Sequence, residues 1–189
     1  MREIAENIIE TAALGDMAAF EEVYKAYSST VYTMALGITK NRQDAEEVAQ
    51  DVFVKIFRNL KNFKFDSSFG TWVYRIAINA AINMYNNRAR RAAGTIKIDD
   101  ISDIPDSTPV AKIEWADSRK DAQEKLARIL KSLNVEHRSV IILREIEGLD
   151  YKDMADVLGI PLNTVRSRLK RAREALIAVS KKEGIHYEM

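Results

Sequence analysis

Residues 151–173 constrain this chain more than any other stretch. They read Tyr-Lys-Asp-Met-Ala-Asp-Val-Leu-Gly-Ile-Pro-Leu-Asn-Thr-Val-Arg-Ser-Arg-Leu-Lys-Arg-Ala-Arg. Met154, Ala155 and Leu158 make one apolar side of a short helix, and Ala155 is small enough for a second helix to cross close by. Gly159 suits a turn that needs positive φ, and Pro161 suits the first turn of the next helix. In that helix Val165, Leu169, Ala172 and Leu176 recur at i, i+4, i+7 and i+11, which is one buried stripe. Asn163, Arg166, Ser167, Lys170 and Arg171 fall on the opposite face. Two helices, a tight turn and a basic outer face describe a helix-turn-helix whose second helix enters the DNA major groove. The alternative is a plain αα-hairpin with a solvated basic face. Turn chemistry, the small residue and the charge together favour DNA.

The rest of the composition is helical in the same sense. Of 189 residues, 47% are apolar and 30% charged, enough for one or two domains with real cores. Helix formers dominate, Gly and Pro are few, and strands are not expected. The absence of cysteine excludes a disulfide scaffold and any Cys-based zinc or redox site. No signal peptide or membrane span is legible, so no membrane insertion and a cytoplasmic location are expected. Net charge is only +1, so a nucleic-acid site must come from local clustering.

Clustering is what the chain shows. Arg88, Arg90 and Arg91 close one helical stretch, and Arg166 to Arg173 form a second basic block. Between them Asp99, Asp100, Asp103 and Asp106 stand with Pro105 and Pro109, and no helical period survives. The expected architecture is all-α: two small helical domains, 1–92 and 119–182, joined by a flexible acidic linker, 93–118, with a tail at 183–189. The second is the helix-turn-helix domain. The linker acts as a spacer or in a further role that its charge leaves open. About four helices are expected in the first domain. One is capped by Asp16, one starts at Asn41 or Asp44 and runs to about Leu60, and one runs from Gly70 or Thr71 to about Arg90. In the second, a helix ending near Leu133 precedes one from Val135 to Glu147, stopped by Gly148.

Two faces of the first domain are unusual. On the 44–60 helix, Ala45, Val48, Ala49, Val52, Phe53, Ile56 and Leu60 fill the inner side. Val54 and Phe57 project outward among Glu46, Glu47, Gln50, Asp51 and Arg58, which reads as a protein-docking patch. The alternative is that Phe57 folds under the following loop. On the 71–91 helix, Trp72, Arg75, Asn79, Asn83, Asn86 and Arg90 line one face. Asn offers donor and acceptor, Trp a stacking surface and Arg a phosphate contact, a set suited to unstacked bases. The preceding loop, Asn62-Phe63-Lys64-Phe65-Asp66-Ser67-Ser68-Phe69, mixes aromatics with small polar groups and could wall a pocket for a flipped base. The alternative places Phe63 and Phe69 in the core and leaves the Asn stripe solvated. No catalytic set emerges, no cofactor is called for, and His137 and His186 lack metal-ligand spacing.

Three segments, in this order, resemble the extracytoplasmic-function (ECF) sigma factors of bacterial RNA polymerase. They are Asp44-Ala-Glu-Glu-Val-Ala-Gln-Asp-Val-Phe53, Phe69-Gly-Thr-Trp-Val-Tyr-Arg-Ile-Ala-Ile-Asn79, and Tyr151 through Arg173. The resemblance is to the sigma-E and sigma-W type and covers nearly the whole chain outside the linker and tail. It implies a non-enzymatic specificity subunit that binds core polymerase, at the β′ clamp helices and the β flap. It also implies promoter recognition and melting for a stress- or envelope-responsive regulon. Glu47, Gln50, Asp51, Val54 and Phe57 would meet polymerase. Phe65, Asp66, Ser67, Phe69, Trp72, Arg75, Asn79, Asn83, Arg88, Arg90 and Arg91 would read and hold the melted −10 element. Asn163, Arg166, Ser167, Arg168, Lys170 and Arg171 would read duplex −35 DNA. The family implies an anti-sigma factor that holds the protein at the membrane until release to the nucleoid. The chain departs from the family at Asn83, where Asp is common, and at Asn163, where many members carry Gly. From other classes, a stand-alone helix-turn-helix regulator and an RNA-binding protein remain alternatives. The Val54/Phe57 patch favours the sigma factor.

Overall fold

The computed structural model describes residues 4–94 and 133–183, with side chains to 179. Its α-helices are α1 (Glu6–Ala13), α2 (Met17–Thr39), α3 (Arg42–Asn59), α4 (Phe69–Ala92), α5 (Val135–Ile141), α6 (Tyr151–Leu158) and α7 (Leu162–Glu183). A 3₁₀ turn, Leu60–Asn62, follows α3, and a π-helical turn, Ile142–Ile146, continues α5. Among the described residues there is no strand.

Local chemistry sets most boundaries. Asp16 Oδ1 accepts from the Ala19 amide at 2.8 Å, Asn41 Oδ1 from Asp44 at 3.0 Å, and Ser68 Oγ from Thr71 at 3.0 Å. Asn134 Oδ1 and Asp150 Oδ1 cap α5 and α6 in the same way, each at 2.8 Å. Each such cap contributes about 1 kcal/mol by satisfying an otherwise orphaned helix N–H. Gly159 closes α6 at φ 63, the left-handed conformation in which a Cβ is strained.

In the first helical group α2, α3 and α4 pack mutually, and α1 lies along α2. Val23, Tyr27, Val31, Met34 and Ile38 of α2 meet Val48, Val52 and Ile56 of α3 and Val73 and Ala77 of α4 in the buried core. The second group buries Val140, Leu143, Leu149, Met154, Val157, Val165, Leu169 and Ala172, with α7 lying against both α5 and α6. The two groups also touch: α4 packs on α6, and α2 on α5.

Several expectations are refined. The first domain has four α-helices as expected, and the one the sequence does not place is α1, which carries no capping side chain. The expected 135–147 helix is α only to Ile141, and the π-helical turn then delivers Gly148 at φ 71. Pro161 stands just before α7, where its carbonyl accepts from Thr164 and Val165, so the first helical residue is Leu162. In α6, Val157 is buried beside Met154, while Ala155 and Leu158 are half-buried. The helix expected to end near Leu133, almost all of the expected linker and the end of the tail lie outside the described residues.

Candidate nucleic-acid and polymerase interfaces

The basic face of α7 is open. Asn163, Arg166, Ser167, Lys170 and Arg171 are exposed, while Val165, Leu169 and Ala172 seat the helix on its domain. Its cations have unequal freedom. Arg168 turns aside to Glu136 at 3.3 Å. Arg173 clasps Glu145 through Nε at 3.0 Å and Nη2 at 2.7 Å, and these hydrogen bonds raise its pKa further. Lys170 lies 4.0 Å from Glu174. Arg166 and Arg171 carry no ion pair among the described residues, so they can meet phosphate or a base edge without breaking one. Ser167 Oγ donates to the Thr164 carbonyl at 3.1 Å and keeps an acceptor lone pair outward.

The outer side of α3 leaves the residues of the expected docking patch exposed. Val54 is 40% exposed and Phe57 43%, and Glu47 and Gln50 are exposed nearby. Phe57 does not fold under the following loop. Its ring meets Phe20 of α2 edge-on at 5.0 Å and 73°, which holds the remaining face outward. Asp51 is half-buried and turns toward a 470 Å³ groove between α3 and α4. That groove is lined by Asp44, Glu47 and Asp51 on one wall and by Asn83, Arg88 and Arg91 on the other. Residues the sequence assigned to polymerase and to DNA therefore share one groove.

Asn79, Asn83, Asn86 and Arg90 are exposed along α4, opposite its buried face, as the stripe requires. Arg75 is half-buried, and its buried Nε has no acceptor among the described residues. Arg88 pairs with Asp44 of α3, and Arg90 donates to Asn87. These contacts hold both guanidinium groups close to the helix surface.

The loop before α4 divides its aromatics. Phe69 is a correction: it is 7% exposed, begins α4, and packs on Tyr27 at 5.6 Å and Phe63 at 5.3 Å. It supports the loop from beneath, and only its small exposed part borders the recess beside Phe65. Trp72 is half-buried against Phe63 at 5.3 Å, with Lys55, Asn59 and Asn62 around a shallow 320 Å³ hollow. Phe65 is 42% exposed in the left-handed region at φ 59, and Asp66 is exposed beside it. A 590 Å³ recess is lined by Phe65, Ser67, Ser68, Tyr27 and, from α1, Ile9. Sequence reasoning missed α1's part in this recess because α1 is short and lacks a capping signal. Ser67 and Phe65 have the polar and stacking character that an extruded base needs.

An all-helical pair of domains, one ending in a helix-turn-helix and the other bearing an Asn–Arg stripe above an aromatic loop, defines a non-catalytic promoter-recognition subunit. The chain matches Sigma-70 region 2 over residues 23–91 and Sigma-70, region 4 over residues 123–176. It is similar to the RNA polymerase sigma-H factor of Pseudomonas aeruginosa, 34% identical over 90% of this chain and 91% of the relative. It is also similar to the ECF RNA polymerase sigma-E factor of Escherichia coli K12, 31% identical over 89% of this chain and 90% of the relative. Its fold superposes with TM-score 0.68 on CnrH in complex with the cytosolic domain of CnrY, at 26% identity, over 93% of this chain and 96% of that one. The chain belongs to the ECF group of sigma-70 factors. It is thus a specificity subunit of RNA polymerase, acting with core enzyme and promoter DNA and carrying no catalytic site. The stand-alone regulator and RNA-binding readings fall with the match of both regions in order.

Proposed function

We propose that the three surfaces divide the work of initiation. Residues 1–92 dock on the β′ clamp helices through Glu47, Gln50, Asp51, Val54 and Phe57. The same domain holds the melted −10 strand with Phe65, Asp66, Ser67, Trp72, Arg75, Asn79 and Asn83, and Arg88, Arg90 and Arg91 hold its phosphates. Residues 119–182 contact the β flap and read the duplex −35 element with Asn163, Arg166, Ser167, Lys170 and Arg171, and Arg168 joins them on release from Glu136. Residues 93–118 join them, and 183–189 are a tail. Phosphate contacts set register while base contacts set sequence. The observation that carries this reading is Arg166 and Arg171, both exposed on a helix whose other arginines are tied to glutamates.

Differential binding drives the melting step. Closed duplex offers the 590 Å³ recess nothing to hold, whereas an extruded base can stack on Phe65 and hydrogen-bond to Ser67. That difference shifts the equilibrium toward open DNA without covalent chemistry. The protein acts in the cytoplasm on a stress- or envelope-responsive regulon and is held by an anti-sigma factor. Among the described residues no helix is long and apolar enough to cross a membrane. Run-off transcription with core polymerase and a randomised promoter library tests the whole. Enrichment of a two-part motif is expected, and transcripts with no shared upstream sequence would overturn the assignment.

A further inference from the structure

The arginines of α7 stand in two conditions. Arg166 and Arg171 are exposed and carry no ion pair among the described residues, whereas Arg168 and Arg173 each face a carboxylate from another element. At about 100° per residue these two lie on opposite flanks of the stripe Val165, Leu169, Ala172, each roughly 70° from its centre. Arg173 is held twice by Glu145, at 3.0 and 2.7 Å. Arg168 is held once, from Nη2 to Glu136 Oε2 at 3.3 Å, and the Glu136 side chain is 57% exposed.

The Arg168–Glu136 pair does little for the fold, because a single contact to a solvated partner contributes little stability. Its position matters more. Arg168 lies in the second turn of α7, at the rim of the basic face, and the N-terminal turns of a reader helix are the ones that enter the groove. A DNA phosphate arriving beside Arg168 must compete with Glu136 for the guanidinium and is repelled by its carboxylate. The pair therefore withholds one phosphate contact from any duplex that merely lies against α7. Arg173, doubly bonded and further along the helix, is the tighter of the two and seats α7 on the π-helical turn.

One phosphate contact has a large effect on DNA affinity. Each neutralised phosphate steepens the fall of log K with log salt by about 0.9, so near ~0.1 M salt a single contact raises affinity by roughly three- to tenfold. A contact that forms on every sequence strengthens competing DNA as much as the promoter. A contact that forms only after base contacts have seated the helix widens the preference for the promoter.

We propose that Glu136 is a specificity-determining residue for the −35 element that acts through Arg168 without touching DNA. On unmatched duplex the pair stays closed and Arg168 is kept from the phosphates. On a matched element the base contacts of Arg166 and Arg171 seat α7 in the groove, and a phosphate displaces Glu136. Glu136 is thus a positioning residue, and its role rests on the assignment of α7 as the −35 reader.

The test uses the full-length protein with core polymerase on two promoter fragments that share one −10 element. One carries the −35 sequence enriched from the randomised library, the other a scrambled −35, and Kd is measured at several salt concentrations. Glu136→Gln should tighten binding to the scrambled fragment by roughly three- to tenfold near ~0.1 M salt and steepen its salt slope by about 0.9. The matched fragment should change by less than about twofold, so the preference between fragments falls by the same roughly three- to tenfold. Arg168→Gln should weaken the matched fragment and lower its slope by about 0.9. In the Arg168→Gln background, Glu136→Gln should have no further effect, which separates the pair from a general loss of negative charge. Equal tightening of both fragments, or of neither, overturns the proposal. So does tightening that persists without Arg168. Wild-type protein that binds both fragments equally overturns the −35 reading itself, and the role of Glu136 with it.

Discussion

Phe57→Ala should weaken core polymerase binding while leaving the domain folded, and both effects can be sized from the structure. The ring is 43% exposed, and its covered part meets Phe20 edge-on. Complete burial of a Phe side chain stabilises by roughly 1.5–3 kcal/mol, so the outward part has about 1 kcal/mol still to gain on docking. Truncating a central interface aromatic also leaves the partner's pocket unfilled, which brings the expected loss to about 2 kcal/mol. Kd should therefore rise roughly thirtyfold, at about 1.4 kcal/mol per tenfold. Within the folded protein the change removes one edge-to-face pair, about 0.5–1.5 kcal/mol, plus half-buried area. That is small against a typical domain stability of about 5–15 kcal/mol. Fluorescence titration of labelled protein with core polymerase measures the first quantity, and thermal melting the second. Leu14→Ala supplies the control, because Leu14 is 90% exposed at the end of α1 and lies outside the proposed surface. The reasoning fails if Phe57→Ala and Val54→Ala both bind core polymerase within twofold of wild type while melting as folded proteins.

Three further outcomes are expected. Arg171→Ala and Arg166→Ala should each reduce −35 binding. A lost bidentate base contact costs about 1–3 kcal/mol and relaxes one promoter position, whereas a lost phosphate contact lowers the log K–log salt slope by about 0.9; binding isotherms at several salt concentrations on matched and mutated sites separate the two. Asn83→Ala should impair strand opening more than closed-duplex binding, seen by permanganate footprinting beside a gel shift, and equal loss in both assays would make Asn83 a structural residue of the α3–α4 groove. Burial raises the Glu147 pKa above its ordinary 4.5, so the folded form binds that proton more tightly than the unfolded one. The resulting stability is present below pH 4.5 and is lost as pH rises through the raised value. Glu147→Gln should flatten that slope in melting scans and raise the melting temperature at neutral pH. Asp153, also raised by burial and by Asp150, keeps a slope of the same sign. An unchanged profile would show that Glu147 is solvated in the folded protein.

The elements were legible because their causes are local. Asp16, Asn41, Ser68, Asn134 and Asp150 each cap a helix with their own side chain, and Gly159 ends one by adopting φ 63. The apolar stripe Val165, Leu169, Ala172 orients α7, and the opposite face follows from helical geometry alone. Val54 and Phe57 could be assigned to the outside because the inner side of α3 was already filled. Short-range rules could not weigh α1, which lacks a cap, or the π-helical turn, which precedes Leu149, a buried residue whose amide donates to the Leu143 carbonyl.

Which cation faces DNA is a different kind of question. Arg166, Arg168 and Arg171 look alike along the sequence, yet only Arg168 comes within reach of Glu136, a residue of another helix. Phe69 and Phe65 flank the same short loop and both touch Phe63, yet packing on Tyr27 helps bury Phe69 while Phe65, in the left-handed region, stays 42% exposed. Arg138 gave no sign in the sequence that it would be buried; its carbonyl partner, Ile38, and its aromatic partner, Tyr85, belong to the other domain. Helix, turn and amphipathic face are decided within a few residues of chain, so the sequence alone determined them. Partnership between distant side chains depends on where whole helices come to rest, and only the tertiary structure decided that.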